Sequence, residues 1–229
     1  MKLSLETRDV GRVTIVRCKG RLIAGEESDA LRSHLVWLLR DRRAIVLHLA
    51  EIAFVDSSGL GTMVRGLTST RQVHGDLKLC DVPEHVRKIL TLSHLTKLFE
   101  CHDCEDSAVA AFYKTPARAD QPASTGPSIL CIGRNADVIA YIRESLRRKG
   151  FDVHTSNNLR DSQILMRVTK FHLLLVEAGT SAAPATEQSF RALAAGVPVI
   201  ELGSEFSTLE AGEATAALLE KISTHLPTS

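Results

Sequence analysis

The chain has 229 residues, of which 44% are hydrophobic, and carries a net charge of +1. This length suits two domains better than one, and near-neutral charge supplies no field that draws a protein to nucleic acid or a membrane surface. Aromatic residues at 4% are too few for base-stacking platforms, no apolar run is long enough to span a membrane, Met1–Glu6 lacks the apolar core of a signal peptide, and five cysteines without a framework spacing fit a reducing, cytoplasmic setting.

Residues 2–19 predict two short strands around a turn at Asp9-Val10-Gly11, with Gly20 ending the second. Gly25-Glu26-Glu27-Ser28 opens a helix whose first-turn acids suit the helix dipole. Leu31, Leu35, Leu38 and Leu39 mark its buried face. Trp37 falls off that stripe, at the core edge or as an exposed anchor for a partner. Residues 44–49 are nearly all apolar, as in a strand covered on both faces. A helix follows Asp56 and runs to about Val73, with Leu60, Met63, Val64 and Leu67 at helical spacing. His74-Gly75-Asp76 turns the chain into a strand over 77–80. Pro83-Glu84 starts a helix with Val86, Ile89 and Leu90 inward. Leu95–Glu100 reads as a last short strand and Ser107–Tyr113 as a closing helix. Alternation of strands and helices predicts a mainly parallel or mixed sheet.

The stretch Phe54-Val55-Asp56-Ser57-Ser58-Gly59-Leu60-Gly61 is the most informative of the chain. Asp56 stands where an N-cap belongs. Ser57 and Ser58 fall in the first helical turn, where backbone donors lack partners. Gly59 and Gly61 have no Cβ and permit close approach of another chain. A phosphate on Ser57 would meet backbone N–H groups and the positive helix end, and would place about −1.5 to −2 charges on a docking surface. Read alone, these residues are an ordinary capped strand-to-helix turn. The nucleophile elbow of serine hydrolases is excluded, because the first Gly of Gly-x-Ser-x-Gly is missing and no late His can be assigned.

The stretch resembles the signature of the STAS family, the anti-sigma factor antagonists. The resemblance is collinear from about residue 3 to 113, through Gly20-Arg21-Leu22, Ile45–Leu49, Gly75-Asp76-Leu77-Lys78-Leu79 and Val86-Arg87-Lys88-Ile89-Leu90. It implies a STAS-like mixed sheet with helices. It also implies a partner: an anti-sigma factor that is a serine kinase of the histidine-kinase-like ATPase type. Ser57, directly after Asp56, is the residue that such a kinase would phosphorylate, with Ser58 the second choice. Asp56, Ser57, Ser58, Gly59, Leu60 and Gly61 would form the partner-binding surface. Two positions depart from the family. Ile23 stands where an Asp usually follows Gly-x-Leu, and His48 stands where Asp or Asn is frequent.

Residues 114–127 hold three prolines and almost no bulky apolar residue, a linker composition. A second domain, 128–229, begins with the strand Ile129–Ile132. It continues through helix 136–148, strand 151–155, helix 161–169, strand 173–176, helix 186–195, strand 197–200 and helix 208–226. This alternation resembles the receiver domain of response regulators, a flavodoxin-like doubly wound parallel sheet, one strand–helix unit short. Receiver chemistry needs an acidic pair for a divalent metal, a phosphoacceptor Asp, and later a Ser/Thr and a Lys. Here the acidic-pair position reads Gly133-Arg134-Asn135, the phosphoacceptor position is Glu177, the Ser/Thr position is Gly203 or Ser204, and no Lys-bearing strand follows. The domain is therefore expected to be a pseudo-receiver. Glu177 is either a polar strand end or an imitation of a phosphorylated Asp.

Cys101-His102-Asp103-Cys104 is a CxxC motif without a second ligand pair, since His85 and His94 lie in a helical region. It predicts no metal site and no redox centre. Arg143–Lys149 reads as a solvated basic helix face. The function expected from all of this is a cytoplasmic anti-sigma factor antagonist, not an enzyme. It would use no cofactor and no metal, contact neither nucleic acid nor membrane, and be switched off by serine phosphorylation so that it regulates transcription indirectly. Two alternatives stand beside it: a non-phosphorylated STAS adaptor in a multiprotein assembly, and an enzyme or active phosphoacceptor in the second half.

Overall fold

The computed structural model describes residues 2–114, 126–203 and 211–226. Residue contacts divide the chain into two units, 1–118 and 119–229. Most of the stretch predicted as a linker lies outside the described residues.

In the first unit, β1 (Ser4–Val10) and β2 (Val13–Leu22) form an antiparallel hairpin. Next come α1 (Glu26–Leu38), β3 (Ala44–Val55), α2 (Ser57–Gln72), β4 (Asp76–Cys80), α3 (Glu84–Leu92), β5 (Cys101–His102) and α4 (Glu105–Lys114). The sheet order is β1-β2-β3-β4-β5, with every pair after the hairpin parallel. Ile45, Leu47 and Leu49 of β3 face one side and meet Leu31, Leu35 and Leu38 of α1, Leu60, Met63 and Leu67 of α2, and Val86 and Leu90 of α3. Strand alternation sends Val46 and His48 to the opposite face, where α4 packs against β3, β4 and β5. Both faces of β3 are thus covered, as its unbroken apolar run requires.

Two local expectations are corrected. Gly20 does not end β2. The strand runs on to Leu22, and Gly20, at φ 109°, marks a register shift against β3. Leu95–Glu100 is not a strand but contains a single 3-10 turn at Leu95–Lys97. The amides of Leu98 and Phe99 both donate to the Leu95 carbonyl. The alternating apolar residues here serve packing instead: Phe99 is buried in the main core, and Leu95 and Leu98 lie against it. The sheet is closed by Cys101–His102, beside the end of β4.

In the second unit, β6 (Ser128–Ile132), α5 (Ala136–Arg147), β7 (Asp152–Ser156), α6 (Leu159–Val168), β8 (Leu173–Glu177), α7 (Pro184–Ala194), β9 (Val199–Leu202) and α8 (Ala211–Ser223) alternate. The four strands are all parallel in the order β7-β6-β8-β9. Ile129, Cys131, Leu173, Leu175, Ile200 and Leu202 form a core with Ile139, Ile142 and Leu146 of α5 and Leu218 and Ile222 of α8. Helix α6 packs with α7 and against β6 and β7. The fold reverses direction at β6, between β7 and β8, which is the switch point of a doubly wound sheet. Among the described residues it is the receiver-like arrangement with four strands.

Candidate functional site

The turn from β3 into α2 is built around Asp56. Its backbone is extended, with ψ −178°, and one carboxylate oxygen (Oδ1) accepts from the Gly59 amide at 2.8 Å. The other, Oδ2, accepts from the Ala24 amide at 2.9 Å, while the Asp56 amide donates to the Leu22 carbonyl at 3.2 Å. One residue therefore caps α2 and ties it to the segment after β2. The amides of Gly59, then Ala24, then Ser58 hold the Asp56 carboxyl below its ordinary range. A Cβ on Gly59 would stand 2.2 Å from the Leu22 carbonyl oxygen. The close approach that Gly59 permits is thus within the chain itself.

This clamp presents Ser57, the first residue of α2, to solvent. Ser58 and Gly61 are half-buried, and Gly59 and Leu60 are buried. Phe54, which was quoted in the motif but not singled out, is 49% exposed just before the turn. Its neighbour across the sheet is exposed Arg21. The signal for Phe54 was available: Ile52 and Val55 take the buried positions around it, and a large apolar side chain off that pattern is surplus to the core. Arg65 is exposed one turn on, with its guanidinium over Gly61.

The two departures from the family pattern have different settings. Ile23 is half-buried, and its carbonyl accepts from the Ser28 amide at 3.2 Å and the Ser28 hydroxyl at 2.7 Å. Its side chain brings no carboxylate to the loop that Asp56 anchors. His48 lies on the α4 face of the sheet, the side away from α2, with Nε2 3.4 Å from Asp81 and 3.7 Å from Glu105. Trp37 is 56% exposed on the outer face of α1, tilted against the His34 ring at 5.9 Å.

In the second unit, Glu177 ends β8 and turns its carboxylate into the β6–α5 loop. Its Oε2 accepts from the amides of Arg134 at 2.6 Å and Asn135 at 3.2 Å. A Cβ on Gly133 would come within 2.7 Å of the same oxygen. Asn135 caps α5 by accepting from the Asp137 and Val138 amides, and the Arg134 side chain reaches the Ser181 carbonyl at 3.3 Å. Glu177 therefore fills the strand-end crevice and binds this loop from within. Ser204 lies outside the described residues.

The CxxC residues do not gather with His85 and His94. Cys101 is half-buried on β5, Cys104 is exposed and bonds to Ser107, and both histidines are exposed. On α5 and just beyond its end, Arg143, Arg147, Arg148 and Lys149 are exposed, with Arg148 paired to Glu144 at 2.9 Å. No helix among the described residues is long and apolar enough to cross a membrane.

Residues 4–108 match the model of the STAS domain. An anti-sigma F factor antagonist of Paenibacillus polymyxa is 33% identical over 111 residues, covering 48% of this chain and 94% of that protein. BtrV of Bordetella bronchiseptica, described as an anti-sigma factor antagonist, is 26% identical over 113 residues, covering 49% of this chain and 95% of that protein. The phosphorylated form of the Bacillus cell fate determinant SpoIIAA is a similar solved structure, at 20% identity and TM-score 0.41, covering 48% of this chain and 99% of that one. The match to the family model lies within the first unit. Through that unit, the chain belongs to the STAS-domain family of anti-sigma factor antagonists.

Proposed function

We propose that this protein binds an anti-sigma factor through the surface around Ser57, and that phosphorylation of Ser57 by that partner, a serine kinase of the histidine-kinase-like ATPase type, ends the interaction. The carrying observation is the exposed hydroxyl of Ser57 on the first residue of α2, held in place by the two backbone bonds of Asp56. Gly59 and Leu60 set the turn from beneath, so the partner meets Ser57, Ser58, Gly61 and the exposed ring of Phe54. Exposed aromatic residues are good anchors for a partner. A phosphate introduced beside such an anchor adds charge that an interface desolvates at a cost. Asp56 already holds the Gly59 amide. A phosphate on Ser57 would therefore compete with a carboxylate for the helix end and favour solvent instead. Release of the sigma factor by the unmodified form would make the protein an indirect regulator of transcription in the cytoplasm.

The second unit is read as a pseudo-receiver, because Glu177 occupies the crevice that receiver chemistry would need open. The adaptor reading keeps one specific support, the absence of a carboxylate at Ile23. Incubation of the full chain with its anti-sigma partner and ATP, followed by mass spectrometry of the peptide spanning 45–65, separates the two. One phosphate on Ser57 is expected. An unmodified peptide beside a complex that forms and persists would leave the adaptor reading.

A further inference from the structure

Under α4, on the sheet face turned away from α1–α3, three side chains from separate points of the chain converge. His48 comes from the middle of β3, and Cys80, the last residue of β4, is its partner in register. Asp81 follows at φ 50°, a left-handed conformation uncommon for a residue with a side chain. One ligand-capable atom of each residue lies within 4.8 Å of the other two. Within it, His48 Nε2 stands 3.4 Å from Asp81 Oδ2. His48 and Cys80 are buried, while the Asp81 side chain is 31% exposed and opens the cluster to solvent.

These residues do not form a complete hydrogen-bond network among themselves. Glu105, the nearest other acid, is held by Arg8 and Arg17. His48 is only 8% exposed, yet its Nδ1 has no partner. Buried polar atoms are nearly always paired, so the hydrogen bonding of this ring is incomplete, while Nε2 is the nitrogen that faces Asp81.

We propose that His48, Cys80 and Asp81 bind a divalent cation of the zinc type. An imidazole, a thiolate and a carboxylate are the donors that such an ion takes, with bonds of about 2.0–2.3 Å. Tetrahedral bonds of that length put ligand atoms about 3.3–3.8 Å apart, a spacing already met between His48 and Asp81. Magnesium and calcium, which want oxygen ligands throughout, are poor fits. The cation displaces the thiol proton of Cys80, and water fills the fourth position on the open side by Asp81. Bound there, it links the middle of β3 to the start of the β4–α3 connection.

The test uses the full chain, reduced and stripped of metal with a chelator, then titrated with cobalt(II) as a spectroscopic stand-in. A thiolate-to-cobalt charge-transfer band that saturates at one equivalent is expected, with displacement by zinc and a higher Tm in zinc than in chelator. Cys80→Ser removes the band. His48→Asn weakens binding by about 100-fold or more, since even outer partners of a metal ligand are worth about 10- to 100-fold. The double variant Cys101→Ser/Cys104→Ser leaves the band in place, which separates this cluster from the CxxC motif. Circular dichroism in chelator confirms that each variant is folded. If Cys80→Ser does not fold, the half-exposed Asp81→Asn gives the same reading through a loss of cobalt affinity. Absence of the band in the parent chain, or a band that survives Cys80→Ser and disappears in the double variant, would overturn the proposal.

Discussion

Asp56 gives each carboxylate oxygen to a different segment, one to the helix it caps and one to the loop after β2. Asp56→Ala should therefore cost about 1–2 kcal/mol, the upper part of the range for a lost N-cap, measured by urea denaturation. The sign of its pH dependence follows from the lowered folded-state pKa. The contribution is complete above the unfolded value of about 3.9 and fades as pH falls through the folded one. The stability gap between parent and variant should accordingly narrow in acid below about pH 4. The cap was legible from the sequence because it depends on residues three apart. Gly59 was only half legible. Its freedom from a side chain was evident, but the atom that demands it, the Leu22 carbonyl, belongs to a strand far back in the chain. His48 was legible only as a departure from the family. Its neighbours Asp81 and Glu105 come from elements that no local pattern joins to β3.

At the scale of elements, Glu177 couples the end of β8 to the start of α5 through two backbone amides. Glu177→Ala should free those amides. Hydrogen exchange at Arg134 and Asn135 is expected to speed up by about tenfold or more, the effect of losing bonds to a charged acceptor worth about 1.5–3 kcal/mol each. Unchanged exchange at both would mean that the loop is held by the Asn135 cap and the Arg134–Ser181 contact alone. The acid at the strand end could be read from the sequence, because the run Leu173–Val176 places the next residue there. Its direction could not, since a strand end can point to solvent as well as into a neighbouring loop. The misread segment at 95–100 shows the same limit. Leu95, Leu98 and Phe99 are apolar because they fill the core beside α3, and short apolar runs do not distinguish a strand from a tight turn.

At the scale of the whole molecule, each unit carries its own sheet and its own buried core. Residues 1–118 should therefore fold when expressed by themselves and unfold in one cooperative transition by circular dichroism. A fragment without a cooperative transition would contradict the division. The expectation of two domains rests on the proline-rich break and on the strand–helix alternation on each side of it, both properties of composition and period. In the function proposed for the first unit, the exposed Ser57 at the start of α2 controls association. The most direct test of that control is the affinity of the full chain for its anti-sigma partner before and after phosphorylation of Ser57. Binding should weaken by about 30-fold or more, about 2 kcal/mol of charge and desolvation, with Ser57→Ala binding like the unmodified chain. Equal affinity of the phosphorylated and unmodified forms would contradict it.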